Sequence, residues 1–305
     1  MPVSPFLSPP FATAAQRRDA TSPSAGEPLV DPAYAPALFV RCALPVKRLS
    51  RSETTWTRSH GPLRLEVHVE PDQEVPYGQD RALLIFIATT AWRQRRRRLE
   101  LGSAYEILHR LGLSATGADY RRLYARFSRL LACRIHTWSV AKDNSTDSHR
   151  HFRIQEEAEL WYNHKDRHSG VSRFKNVITL SEEFCSEIQR SPVQIPMSLA
   201  RALVNSPGAL DLALLIAWRS HLVRLGRYVR VSISGRGGIV DQLSAKAYLQ
   251  DRDFRRQVRT WLTHIKEFWP ECPAVLAQND QDILICHGPL VVTPWEQHTK
   301  AAAGG

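Results

Sequence analysis

The sequence predicts an α+β protein of two successive domains behind a disordered N-terminal tail. Three observations carry that reading. Apolar residues recur at helical spacing in several long stretches and alternate at strand spacing in others. One order of elements, helix, helix, turn, helix and hairpin, occurs twice along the chain. The first 36 residues hold eight of the nineteen prolines, interleaved with Ser, Ala and Thr. Such a segment cannot bury enough apolar surface to offset its ordering entropy, so a tail is expected over residues 1–58. The rest of the 305 residues suits about two domains of ordinary size.

The elements follow in order. "LRLEVHVE" (63–70) alternates apolar and polar residues and predicts a half-buried strand. The turn signal "PYGQD" precedes "RALLIFIATTAW" (81–92), apolar enough for a largely buried helix. Ser103 followed by Glu106 forms a capping box at the head of "AYEILHRLGL", which ends at Gly112. A turn through Ser114, Thr116 and Gly117 leads into a longer helix over 118–133. "CRIHTWSVAK" and "FRIQEEAELWYN" then read as paired strands joined by the polar loop "DNSTDSHR". "RHSGVSRFK" is the expected link to the second half. There, "NVITLSEEFCSEI" precedes a buried helix in "GALDLALLIAWRSHLV" and a strand in "RYVRVSIS". A Gly-rich turn, a short helix near 239–249, a long helix over 251–269 and two closing strands in "AVLAQNDQDILICHGPLVV" complete the order. Helix, turn, helix and hairpin in this sequence make a winged helix. Two tandem winged-helix domains are therefore expected, over 59–168 and 169–293, with a flexible C-terminal tail over 294–305.

Composition narrows the function. Forty-one Lys and Arg against thirty Asp and Glu leave a formal charge of +11, mostly from Arg. An Arg-weighted excess favours phosphate, because the guanidinium fork bonds it in pairs. No stretch approaches the roughly 20 apolar residues that cross a bilayer, and the N-terminus lacks a secretory signal pattern. The five scattered cysteines form no CxxC pair and read as small apolar residues in a reducing cytoplasm. No cofactor, structural metal or catalytic constellation is expected.

The two long helices carry the strongest signal. On a helical wheel Arg121, Arg122, Arg126 and Arg129 fall within about 140°, opposite Tyr120, Leu123, Tyr124, Phe127, Leu130 and Leu131. In the second helix Arg252, Arg255, Arg256, Arg259, Thr263 and Lys266 lie within about 100°. Phe254, Val258, Trp261, Leu262, Ile265 and Phe268 oppose them. A solvated helix normally mixes both charge signs at i to i+4. A one-signed stripe calls for a polyanion, and a helix fits the major groove of DNA. Arginines early in such a helix suit guanine edges, whereas Thr263 and Lys266 suit phosphates.

"VPYGQDRALLIFIATTA" followed by "LELGSAYEILHRLGLSATGADYRRLYARFSRLLACRI" resembles the family of plasmid-encoded RepA replication initiators. "DRDFRRQVRTWLTHIKEFWPE" is similar to the recognition helix of that family's second winged-helix domain. The resemblance spans roughly 60–293. It implies binding to repeated sites, or iterons, in duplex DNA of a plasmid origin. Also implied are monomers active at the origin, dimers that are inactive or repress their own gene, and recruitment of host DnaA and the replicative helicase. By position, Arg252, Arg255, Arg256 and Arg259 match the base-reading helix of the second domain, and Arg121, Arg122 and Arg126 its counterpart in the first.

A winged-helix transcriptional repressor would use the same residues, and sequence alone does not separate the two. A nicking initiator would need a His-x-His metal site and a tyrosine. His149 and His151 flank Arg150 in a polar stretch near Tyr162, His164 and His168, where a solvated or phosphate-contacting loop is the simpler reading. No Walker motif is present, and "SGRGG" lacks its lysine. "WRQRRRR" (92–98) has two readings. Arg93 and Arg95 to Arg98 could favour the C-terminal dipole of the preceding helix, or Arg95, Arg96, Arg97 and Arg98 could clamp phosphate, as could Arg150.

Overall fold

The computed structural model describes residues 31–140, 147–160, 176–235, 237–243 and 250–288. Among them the chain is a mixed α/β structure with four antiparallel sheets. The first half holds β1 (Pro32–Pro36), α1 (Ala37–Arg41), β2 (Thr55–His60), β3 (Leu63–His68), α2 (Asp80–Gln94) and β4 (Arg98–Gly102). α3 (Ala104–Arg110), α4 (Gly117–Ala132), β5 (Arg134–Val140), β6 (Asp147–Arg153), β7 (Gln155–Glu159) and β8 (Asn176–Leu180) follow. The second half runs α5 (Glu182–Arg190), β9 (Pro192–Pro196), α6 (Met197–Ala202), α7 (Pro207–Leu222) and β10 (Tyr228–Ser232). It closes with α8 (Ile239–Leu243), α9 (Asp251–Phe268), β11 (Ala274–Leu276) and β12 (Asp282–Cys286).

The predicted tail needs correction beyond residue 31. β1 and α1 are buried, and β1 pairs antiparallel with β9. Both strands are bounded by prolines, Pro32 and Pro36 against Pro196 and Pro192, with Tyr34 opposite Gln194 at the centre. Proline lacks an N–H and is tolerated at strand ends, so the composition that suggested disorder instead frames a short buried strand. The match is reciprocal: Ala37 N donates to Ser191 O (3.3 Å) and Met197 N to Asp31 O (3.0 Å). A Pro-x-x-x-Pro strand followed by a short helix is thus a repeat that the two halves share. Residues 1–30, the expected link 167–175 and the expected C-terminal tail lie outside the described residues.

α2 and α7 are the central helices, and buried side chains form one continuous core across both halves. The buried Arg81 of α2 meets the buried Asp211 of α7 at 2.7 Å. Arg81 also donates to the carbonyls of Leu44 (2.7 Å) and Pro45 (3.2 Å). Burial pushes Asp211 up to about 6 against the pull of Arg81.

The sheets differ from expectation at β6 and β8 as well. β6 begins at Asp147, inside the predicted loop, pairs with β5, and gives way at Ile154 to β7 in a different sheet. That sheet has the order β4-β8-β7, so β8, beyond the expected boundary at 168–169, pairs with strands of the first half. The four-stranded sheet is β2-β3-β5-β6, and the last is β10-β12-β11. All five cysteines are free thiols; burial pushes Cys42 and Cys133 up to about 12, away from nucleophilic use.

Candidate nucleic-acid interface

α9 is built as the wheel predicts. Asp251 and Asp253 occupy its first turn, where they favour the positive end of the helix dipole. Phe254, Val258, Trp261, Leu262 and Ile265 are buried, whereas Phe268, expected on the same face, is 50% exposed. The helix seats on α7 through Gly208, where an added Cβ would lie 2.1 Å from Cζ2 of Trp261. Only glycine admits the indole there, so the position of α9 is fixed by close approach. The opposite side exposes Arg252, Arg256, Arg259 and Thr263, with Arg255 and Lys266 half-buried.

Its charges are loosely held. Arg256 lies 3.5 Å from Asp253, and Arg259 lies 2.6 Å from Asp280 in the β11–β12 turn, both side chains of the latter pair being 53% exposed. Exposed pairs of this kind contribute about 0–1 kcal/mol and give way to a competing phosphate. Thr263 donates its hydroxyl to the Arg259 carbonyl (3.1 Å). Among the described residues, the side chains of Arg252, Arg255 and Lys266 make no ion pair.

α4 divides its arginines. Thr116 and Asp119 form a capping box at its head, a second box beside the one formed by Ser103 and Glu106. Hydrogen bonds from the Thr116 and Ser114 hydroxyls hold Asp119 well below the usual carboxylate range. Arg121 and Arg122 are exposed, and Arg122 pairs with Asp119 at 3.1 Å. The outward arginine face ends there. Arg126 is buried and donates to the Gln79 carboxamide. Arg129 binds buried Asp80 through two bonds of 2.7 and 2.8 Å and stacks 4.6 Å from the Tyr77 ring. These two clamp α4 to the head of α2.

The arginine run is likewise engaged within the chain. Arg95 takes the left-handed C-cap of α2 (φ 54°) and lies 4.6 Å over the Trp92 ring. Arg93 pairs with Asp31, Arg96 with Glu100 (3.0 Å), Arg97 with Glu156 and the Leu180 carbonyl (3.0 Å), and Arg98 with Glu157 (3.9 Å). Arg150 sits 3.0 Å from buried Glu187. The exposed pairs of Arg93, Arg96 and Arg98 are of the same weak kind as those of α9, so these contacts favour neither the helix-end reading nor the phosphate clamp.

Two groupings escaped the sequence. Arg41 and Arg219 gather around His60, where Arg41 Nε lies 3.4 Å from His60 Nδ1 and Arg219 Nη2 lies 2.9 Å from His60 Nε2. Arg219 and Arg41 also lie 4.8 and 5.7 Å over the Trp218 ring. Their positions in sequence are far apart, and no local pattern joins them. Burial, then Arg219 and Arg41, push His60 down to about 4. A base with a depressed folded value contributes stability above its unfolded value of 6.5, and that contribution is lost as pH falls toward about 4. Urea titrations between these limits are expected to show a shallower pH dependence for His60→Gln than for the unsubstituted protein; equal slopes would refute the assignment.

The second grouping corrects the His-x-His reading. His149 and His151 lie on strand β6, not in a loop, and share its outer face with Arg153. Tyr162, His164 and His168 lie outside the described residues.

Fold and site together define a class: a mixed α/β protein of two related halves, each with an amphipathic helix leading into an antiparallel hairpin, and with its clearest basic stripe on the second. Residues 75–232, just over half of the chain, match the family described as plasmid encoded RepA protein. The chain belongs to that family of plasmid replication initiators. Among solved structures, crystal structures of domains 2 and 3 of RctB are similar at 12% identity, with TM-scores of 0.49 and 0.45. The alignments cover 75% of this chain and 85% and 82% of those chains. No curated protein matches the sequence. Among the described residues, no helix is long and apolar enough to cross a membrane.

Proposed function

We propose that this chain is a sequence-specific duplex-DNA-binding initiator of plasmid replication, folded as two tandem winged-helix units that engage iterons at an origin. One observation carries the reading. α9 presents Arg252, Arg255, Arg256, Arg259, Thr263 and Lys266 on one side while its opposite side is locked into the core by Gly208 and Trp261. A helix held rigidly by one face and basic on the other suits insertion into the major groove. The β11–β12 turn, which brings Asp280 to Arg259, stands where a wing would flank that groove. Arg121 and Arg122 offer the first unit a smaller basic surface, suited to backbone contact. Pairing of β8 with β4 supports a unit boundary after β8 and not at 168–169.

The reading includes self-association as a dimer, contacts with host DnaA and the replicative helicase, repression of its own gene, a cytoplasmic location and no enzymatic activity of its own. Footprinting of the purified protein on DNA flanking its gene tests the central claim. Protection of tandem direct repeats is the expected result, with affinity falling steeply as salt rises. Protection of a single inverted repeat at the promoter would mark a repressor, and absence of discrete protection would remove sequence-specific binding.

A further inference from the structure

The outer face of the β2-β3-β5-β6 sheet gathers histidines from three strands. In the antiparallel ladder Glu66 stands opposite His136, and His136 opposite His151, so the three share a row across β3, β5 and β6. His68 lies two residues along β3 on the same face. Ring centroids of His68 and His136 are 4.5 Å apart, and those of His136 and His151 are 4.2 Å apart. The donor atoms of Glu66, His68 and His136 all fall within 4.8 Å of one another, on half-buried side chains.

We propose that Glu66, His68 and His136, with His151 as fourth donor, bind a divalent transition-metal ion of the zinc class at this face. Imidazole and carboxylate donors suit zinc, cobalt and nickel. A tetrahedral ion with bonds of about 2.0–2.1 Å draws its ligand atoms to about 3.4 Å of one another, within reach of side-chain rotation here. His68 already has the outer contact that ligating histidines use, its Nδ1 lying 3.1 Å from the Thr55 hydroxyl. In the tautomer that donates from Nδ1 to Thr55, Nε2 turns its lone pair toward the Glu66 carboxylate at 3.0 Å. A metal ion bridges such a contact as readily as a proton on Nε2 does.

Two arginines border the site. Arg64 bonds the other oxygen of Glu66 and lies 5.3 Å over the Trp138 ring, and Arg134 is paired with Glu70 at 2.6 Å. Arg64 therefore has Trp138 as an alternative seat when the carboxylate turns to a metal. Bound metal would pin the β5–β6 hairpin, which follows α4, to β3.

The test uses the untagged full-length protein, freed of metal with a chelator and dialysed. Calorimetric titration with Zn²⁺ is expected to give one ion per chain, and Co²⁺ to give visible absorption of a low-coordinate site without thiolate bands. His68→Ala and His136→Ala should each weaken Zn²⁺ binding at least tenfold, and Thr55→Val by about 10- to 100-fold if it orients His68. Glu66→Gln keeps the side-chain shape and serves should an alanine variant fold poorly. No stoichiometric binding, thiolate bands from the cysteines, or undiminished affinity in the folded Glu66→Gln and His136→Ala proteins would each overturn the site.

Discussion

Replacing Arg255 and Arg259 together by alanine is expected to weaken binding to the protein's own origin DNA by between about 30-fold and 10⁴-fold. Each arginine that reads a base is worth about 1–3 kcal/mol, and the two are separated by one helical turn on a rigid helix. Thermal stability should hardly move, because within the protein the double substitution removes an exposed ion pair, that of Arg259 with Asp280. Anisotropy titrations on origin and scrambled duplexes read both parts. A double variant that still binds with unchanged affinity would take α9 out of the interface. Arg121→Ala offers the contrast: a uniform loss on both duplexes and a salt slope lower by about one.

Asp211→Ala is expected to produce the largest loss of stability, about 3–5 kcal/mol by urea denaturation, since it leaves the Arg81 guanidinium buried without its counter-charge. The direction of the Asp211 shift explains why. Burial raises it toward about 6 more strongly than Arg81 lowers it, so the pair is a costly arrangement tolerable only when complete. Replacing both partners, as Arg81→Met with Asp211→Leu, should therefore restore part of the loss. Full restoration is not expected, because Arg81 also satisfies the carbonyls of Leu44 and Pro45. An unfolding midpoint for Asp211→Ala equal to that of the unsubstituted chain would mean that the pair does not hold α2 to α7.

The helices were legible because their signals are local. The capping box of Ser103 and Glu106, the buried pattern of 81–92 and the basic stripe of α9 are all contained within a few turns. A helical wheel knows nothing of what packs beside it, however, and so it placed Arg126 and Arg129 outward. The head of α2 supplies Gln79 and Asp80 against that side, which turns two expected DNA contacts into internal ones. β1 was hidden for a similar reason: its stability rests on β9, far away in sequence, and proline content alone carries no information about a partner strand. Glu66, His68 and His136 were invisible as a group because only the β3–β5 register brings them together.

The β1–β9 ladder also has a consequence in time. During synthesis β1 emerges early, and its hydrogen-bonding partner does not exist until residues 192–196 have been made. The N-terminal half therefore cannot complete its fold as an independent unit, and long-range closures of this kind slow folding. An unpaired apolar strand is a template for aggregation while it waits. Pro32 and Pro36 withhold two of its five possible N–H donors, so the waiting strand is blunted at both ends against every neighbour except the proline-framed strand made to receive it.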